Sequence, residues 1–544
     1  MSNSIYLKNF RKFQEFPQVK FGDITFLVGK NNSGKSTIVK AILLVYNYLI
    51  SKDISLFQFN QHGFEDVNIV TYGRAFNNLS RNEGFKDDFL LNHIYFSISF
   101  STPSDNIDFS VQITGEDDNI NGHVLYLNIN QHKSDFVVSM EPSHKRINLI
   151  EKANSNLVDL QRTHESLEKK VISIKESLNS IDDKLSREYI QLNNELEKIS
   201  KNVEGIKYEI DNTDIMGLQT DFSTFYNSDH LFGAFDNAYS NFIETYKIFE
   251  AVDISSNKVE EDEEEEFVEE NIDPQTYYAS YDTTNIDIFN KNKEAIRKNF
   301  DDILAFIDNL EIIYLPATLN KHSSLFAIKD GKNSLAQTIH EYFQLGIKND
   351  DSIKSFIKKW LQTFEVGIDI EIDLIEGEAY TANLIQDNNK MSLADAGMGV
   401  IQATLLLLRL ASVIHKKIRL KREIIVILEE PELNLHPALQ SKLCDLFFEI
   451  YEKYKVKFII ETHSEYIIRR SQVITAKKEF DADDKGVNPN PFSALYFPSK
   501  EDEKVYSLNY QPDGTFENSF GSGFFDESSA STLELIKLKR LKNK

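Results

Sequence analysis

The chain of 544 residues carries 85 acidic against 60 basic residues, a formal net charge of −25, and 41% of it is hydrophobic. That is more chain than one ordinary domain needs, and its mixture of apolar and charged residues excludes a disordered or fibrous protein. A single cysteine, Cys444, excludes an intramolecular disulfide framework and a Cys-built zinc site, leaving a reducing cytoplasm as the simplest location.

The opening MSNSIYLKNFRKFQEF lacks the apolar centre of a signal peptide. Residues 1–147 alternate short β-like runs, such as 24–28 and 94–100, with one apolar helix starting near Ser36, an α/β pattern with an antiparallel extension. Between the first of these runs and the helix lies GKNNSGKST, which fits G-x-x-x-x-G-K-[ST] with strand and helix on the required sides. The whole loop, Gly29, Lys30, Asn31, Asn32, Ser33, Gly34, Lys35, Ser36 and Thr37, is therefore the expected cradle for ATP. Gly29 and Gly34 permit the tight turn that points backbone N–H groups and the helix N-terminus at phosphates. Lys35 would neutralise the β- and γ-phosphates, Ser36 would offer its hydroxyl to Mg²⁺, and Thr37 would make a second phosphate contact.

Residues 148–250 change texture. Apolar positions from Leu167 to Ile210 recur at alternating steps of four and three, with one extra step of four between Leu185 and Tyr189. That is a heptad seam with a stutter, which predicts a coiled coil or long packed helix, with an ordinary bundle helix as the alternative. Residues 251–275 include nine acids between Glu260 and Glu270 and read as a self-repelling, disordered surface loop.

Residues 276–475 return to α/β texture. The apolar run 424–428 ends in Glu429-Glu430-Pro431, and the run 456–460 ends in Glu461-Thr462-His463-Ser464. Open parallel sheets gather their ligands at strand C-terminal ends. Glu429 is thus expected to hold Mg²⁺ or its water, Glu430 to act as general base on the attacking water, and His463 to sense the γ-phosphate. His436 reads as a cap for the helix that follows, and Cys444 and Trp360 as core. The most apolar runs, 41–50 and 403–414, fall short of the roughly 18 residues of a membrane helix. Net acidity argues against wholesale coating of nucleic acid, while the basic stretches 415–422 and 537–544 leave a DNA contact open. Residues 476–544, with β-like runs at 492–497 and 505–508, look like closing strands and a tail.

Lys35 and Glu429 stand roughly 400 residues apart, beyond the span of a compact nucleotide-binding domain, so the head must be split around the helical segment. On the opening 5–11, the GKNNSGKST loop, residues 392–402, EEPELNLHP and ETHS, the chain resembles ABC-type ATPases of the SMC, RecF and OLD kind. The resemblance implies a split α/β P-loop head carrying a coiled-coil arm, and a homodimer or higher oligomer in which two heads sandwich two ATP molecules. It also implies a signature segment in which Ser392, Gly397 and Gly399 clamp the partner's nucleotide, although the wording departs from LSGGQ. The stretch after His463 is too short for the Toprim nuclease of OLD proteins. The chain looks most like the PtuA-like ATPase of Septu and retron-associated anti-phage systems. That likeness implies an HNH nuclease partner of the PtuB kind and, in a retron, a reverse transcriptase with its RNA and DNA. The expected function is ATP hydrolysis controlling a separate nuclease in the cytoplasm. A DNA-repair or chromosome-maintenance ATPase that binds DNA directly and a non-catalytic nucleotide-bound scaffold are the alternatives.

Overall fold

The computed structural model describes residues 3–51, 53–60, 69–77, 93–102, 105–142, 146–151, 196, 200–201, 217–221, 235, 283–317, 326–327, 334–346, 351–376, 378–386, 389–478, 480, 489–498, 504–518, 520 and 534–536. The predicted heptad seam lies outside these but for residues 196, 200 and 201; the acidic run 260–270 and the basic tail 537–544 lie outside them altogether.

The chain opens with β1 (Asn3–Phe10), β2 (Phe13–Phe21) and β3 (Ile24–Gly29), then α1 (Lys35–Leu49), β4 (Leu56–Gln58) and the single turn α2 (Tyr72–Ala75). A run of strands follows: β5 (Ile94–Ser101), β6 (Asn106–Thr114), β7 (Asn121–Gln131), β8 (Phe136–Glu141), β9 (Arg146–Glu151) and β10 (Gly217–Asp221). After α3 (Thr283–Asn309) come β11 (Leu310–Leu315), β12 (Phe326–Ala327), α4 (Ser334–Gln344), α5 (Asp351–Thr363), β13 (Asp369–Ile375), β14 (Ala379–Gln386) and β15 (Asn389–Ser392). The last elements are α6 (Met398–Leu420), β16 (Glu423–Glu429), α7 (Pro437–Tyr454), β17 (Lys457–Glu461), α8 (Glu465–Lys478), β18 (Phe492–Phe497) and β19 (Tyr506–Leu508).

Three sheets result. The antiparallel meander runs β10-β9-β8-β7-β6-β5-β1-β2 with β4 on β7, a second sheet runs β11-β16-β17-β3-β18-β19, and a small one joins β12, β14, β13 and β15. Strands of the meander alternate buried and half-buried residues, as in Asn106–Thr114, because only one face meets the core. In contrast, all six residues of β3 are buried. Strand β3 is paired in parallel with β17 on one side and β18 on the other, so both faces and both edges are covered.

Pleating sends alternate β3 side chains into different cores. Leu27 joins Ile427, Ile459 and Leu495 against α1 and the meander. Phe26 and Val28 join Val426, Phe458 and Ile460 against α6, α7 and α8. Each such side chain, fully buried, contributes about 1.5–3 kcal/mol. The α/β class and the split head hold: the N-terminal β3 is completed by strands from the far end of the chain.

One expectation needs correction, and a second is narrowed. Helix α6 is 23 residues long, not the 12 that its apolar run suggested, and by length and composition alone it is the one described helix able to cross a membrane. Its apolar side chains are instead buried against the sheet, including Leu405, Leu407, Leu408 and Leu410. The basic stretch 415–422 forms the last turns and end of this helix; Lys416, Lys417 and Arg422 are paired with acids within the protein, whereas Arg419 and Lys421 are exposed. Lys416 lies 3.4 Å from Glu311 and 2.8 Å from Glu341, Lys417 lies 3.3 Å from Glu423, and Arg422 lies 3.6 Å from Glu311. The exposed Arg419 and Lys421 leave a DNA contact open there, with less free charge than the sequence suggests.

Candidate active site

Parallel pairing fixes the site's position. The register aligns Leu27 of β3 with Glu461 of β17, and Glu461 with Glu429 of β16, so the three strands exit at the same edge of the sheet. Beyond β3 the backbone turns sharply, with Gly29 at φ 155°, Asn32 at φ 60° and Gly34 at φ 107°. A side chain on Gly34 would meet the ring of Phe13 at 2.5 Å, and one on Gly29 would strike the carbonyl oxygen of Phe497. Only glycine fits these turns. Helix α1 then starts at Lys35 with no side-chain cap and no acid in its first turn, leaving its N–H groups and positive end for a ligand.

Lys35 is buried. Its Nζ donates to the carbonyls of Gly29 and Lys30, both at 3.1 Å, and lies 3.6 Å from Glu461 Oε1. Burial pulls the Lys35 pKa down, against the raising effect of Glu461, Glu430 and Glu432. Burial pushes the Glu461 carboxyl up to about 7; Lys35 opposes that shift, and Glu429 and Glu430 add to it. Lys30, Asn31, Asn32 and Ser36 are exposed, whereas Ser33, Gly34 and Thr37 are buried.

At the ends of the acidic strands, Glu430 takes a left-handed backbone, φ 42°, and its N–H donates to the Glu461 carbonyl at 2.8 Å. Its Oε1 stands 3.7 Å from His463 Nε2. Burial first and Lys35 second lower the His463 pKa, with Glu430 opposing, which favours the neutral ring. Glu432 fixes the loop carrying this histidine: its Oε1 accepts from Thr462 Oγ1 and from the His463 N–H, each at 2.7 Å. His436 caps α7, its Nδ1 accepting from the Ala438 N–H at 3.3 Å. Cys444 and Trp360 are core, as their sequence context predicts.

A cavity of about 490 Å³ opens on the loop, lined by Asn32, Ser33, Gly34, Lys35, Ser36, Thr37 and Glu461, with Arg11, Lys12 and Arg74 on its rim. The Arg11 pKa is lowered by burial and by Arg74, so two cations face one space, as an anion site requires. Lys12 Nζ also reaches the Asn32 carbonyl at 3.2 Å. Around the loop and strand ends, Ser33 Oγ, Glu432 Oε2 and Glu461 Oε2 are buried without a hydrogen-bond partner among the described residues. Unmet polar atoms, a glycine cradle and flanking cations fit a phosphorylated ligand with its divalent ion. Arg11, Lys12, Arg74, Glu432 and Glu461 are additions to the residues sequence reasoning named. Arg11, Glu432 and Glu461 sit inside motifs already singled out, but nothing local marks Lys12 or Arg74.

The signature-like segment lies elsewhere; Ser392, Gly397 and Gly399 are not among the residues lining this cavity. Ser392 caps a short turn, its Oγ accepting from the Ala394 N–H at 3.3 Å. Gly399 packs against the Asn434 carbonyl oxygen, which demands glycine, whereas Gly397 has an ordinary φ of −65° and open space where a side chain would be. Close approach within one protomer therefore explains Gly399 and not Gly397.

A family model described as an AAA ATPase domain matches residues 1–468. No curated protein matches the chain. Among solved structures, the Smc head domain with an extended coiled coil from Pyrococcus furiosus, bound to the C-terminal domain of ScpA, is 11% identical; the match covers 98% of each chain at a TM-score of 0.36. The SMC head domain from Thermotoga maritima is 9% identical, covering 94% of this chain and 100% of that one at a TM-score of 0.33.

Proposed function

The chain belongs to the AAA ATPase domain family, and from that premise we propose that it binds and hydrolyses ATP with Mg²⁺, pairs two heads around the nucleotide, and so controls a separate nuclease. The observation that carries the catalytic part is the meeting of the Lys35 loop with Glu429, Glu430, Glu461 and His463 at one edge of the parallel sheet.

In this reading Lys35 turns from its carbonyl partners to the β- and γ-phosphates. Ser36 and Glu429 hold Mg²⁺, which when bound supplies positive charge against the charge developing on the transferred phosphoryl group. Glu430 takes a proton from the attacking water. Neutral His463, in the Nε2–H tautomer, donates a hydrogen bond towards the γ-phosphate. Arg11 and Arg74 balance the remaining phosphate charge. Ser392, Gly397 and Gly399 would face the second head's nucleotide, for which the open space at Gly397 leaves room.

The biological part rests on the resemblance to PtuA-like ATPases: the chain would work in the cytoplasm with an HNH nuclease of the PtuB kind, and in a retron with a reverse transcriptase and its RNA and DNA. The pairing of Lys416, Lys417 and Arg422 with internal acids weighs against direct DNA clamping by that stretch. Phosphate release by the wild type and by Lys35→Ala tests the first part. Purification from native cells with identification of what accompanies the protein tests the second: a co-purifying nuclease is expected, and its absence with hydrolysis intact removes the defence reading alone.

A further inference from the structure

The proposed roles leave one acid of the site without a task. Glu461 ends β17, is only 8% exposed, and lines the cavity on the phosphate loop. One of its oxygens is 3.6 Å from Lys35 Nζ; the other is buried and accepts no hydrogen bond among the described residues. Its register partner is Glu429, and its own carbonyl holds the Glu430 backbone.

A carboxylate in a cavity shaped for a polyanion is repulsive unless something cancels its charge. Without nucleotide, Lys35 does so. Once Lys35 turns to the phosphates, the carboxylate loses its counter-ion while gaining anionic neighbours. Arg11, Lys12 and Arg74 sit around the same cavity, but no ion pair between any of them and Glu461 is present. A divalent cation, a hard ion that takes carboxylate oxygens, would restore the balance, and Glu461 Oε2 has its lone pairs unspent.

We propose that Glu461 makes nucleotide binding depend on a divalent cation: it holds Lys35 in the empty site and excludes metal-free nucleotide from the filled one. Glu461 is thus a specificity-determining residue that selects the metal complex of the nucleotide over the free polyanion. This rests on the nucleotide reading of the site.

The test is calorimetric titration of the full chain with ATP, in excess Mg²⁺ and in EDTA, for the wild type and Glu461→Gln. The wild type is expected to bind at least 100-fold more weakly in EDTA. Glu461→Gln is expected to shrink that ratio at least tenfold, chiefly by binding metal-free ATP more tightly. Should Glu461→Gln fail to fold, Glu461→Thr removes the same charge, suits a strand end, and is read in the same way. An unchanged ratio in a folded variant overturns the proposal while leaving the nucleotide site intact. A wild type that binds no ATP even with Mg²⁺ overturns both.

Discussion

Glu430 Oε1 lies 3.7 Å from His463 Nε2, just beyond hydrogen-bond reach, with the Glu430 backbone tied to β17 and the His463 backbone tied to Glu432. The two side chains are held opposite each other by different strands without being locked together. Such a gap suits a base and a donor that must each meet a third partner.

Glu430→Gln removes the base and keeps the shape. Turnover is expected to fall about 10²–10⁴-fold while affinity for Mg-ATP stays within a few-fold of wild type. The nucleotide-bound dimer should accumulate, measured by light scattering with and without ATP. Hydrolysis at the wild-type rate would remove the assignment.

Glu432→Ala should act on His463 indirectly. It strands the buried Thr462 hydroxyl and the His463 N–H, a loss of about 1–3 kcal/mol in stability. Denaturant unfolding reads the stability loss, and turnover should fall more than ATP affinity does.

The two glycines before helices α1 and α6 should part company. Gly34→Ala forces a side chain into the Phe13 ring at a positive φ, and both nucleotide affinity and thermal midpoint should drop. Gly397→Ala meets open space at an ordinary φ, so the midpoint should be unchanged and only ATP-dependent dimerisation should suffer.

Stability of the nucleotide-free protein should fall as pH rises towards and through 7. Burial, Glu429 and Glu430 raise the Glu461 pKa to about 7, so the folded state binds a proton that the unfolded chain has already released. Stability from this group is complete below the unfolded carboxylate range and is lost as pH rises to the folded value, at about 1.4 kcal/mol per pH unit at most. Glu461→Gln should flatten that slope in urea titrations at graded pH.

Replacing Lys416, Lys417 and Arg422 together should leave any affinity for DNA, and its salt dependence, unchanged, because these side chains are committed to Glu311, Glu341 and Glu423. The cost should be small, up to about 1 kcal/mol for each exposed pair. A steep loss of salt-dependent binding would restore this stretch as a DNA contact.

Much of the site was legible because its parts are local and chemically unusual. Two glycines with a lysine after an apolar run, and acids or a histidine where such runs stop, are rare enough to be read from order alone. The partnership of Lys35 with Glu461 was not: it depends on register between strands more than 400 residues apart, and an acid after an apolar strand is usually only a solvated end. Arg74 is less legible still. It is carried by a single helical turn whose N-cap Thr71 accepts from its N–H, and only the folding of that turn brings it to Arg11. The partial neutralisation of the basic stretch was not legible either, since the acids Glu311 and Glu341 that pair with Lys416 lie far away in sequence. For α6, the apolar run gave most of the buried segment but not the turns 398–402 and 415–420 that extend the helix at its two ends.

The position of β3 between β17 and β18 also bears on how the protein is made. On the ribosome, the strand that feeds the phosphate loop emerges more than 400 residues ahead of its two neighbours, Lys457–Glu461 and Phe492–Phe497. Over that interval a strand destined to be wholly buried waits with both edges unsatisfied, open to pairing with another nascent chain. Polysomes crowded with copies of this message are where aggregation should begin, and a chaperone that shields Ile24–Gly29 should raise the yield of soluble protein more than one acting after release.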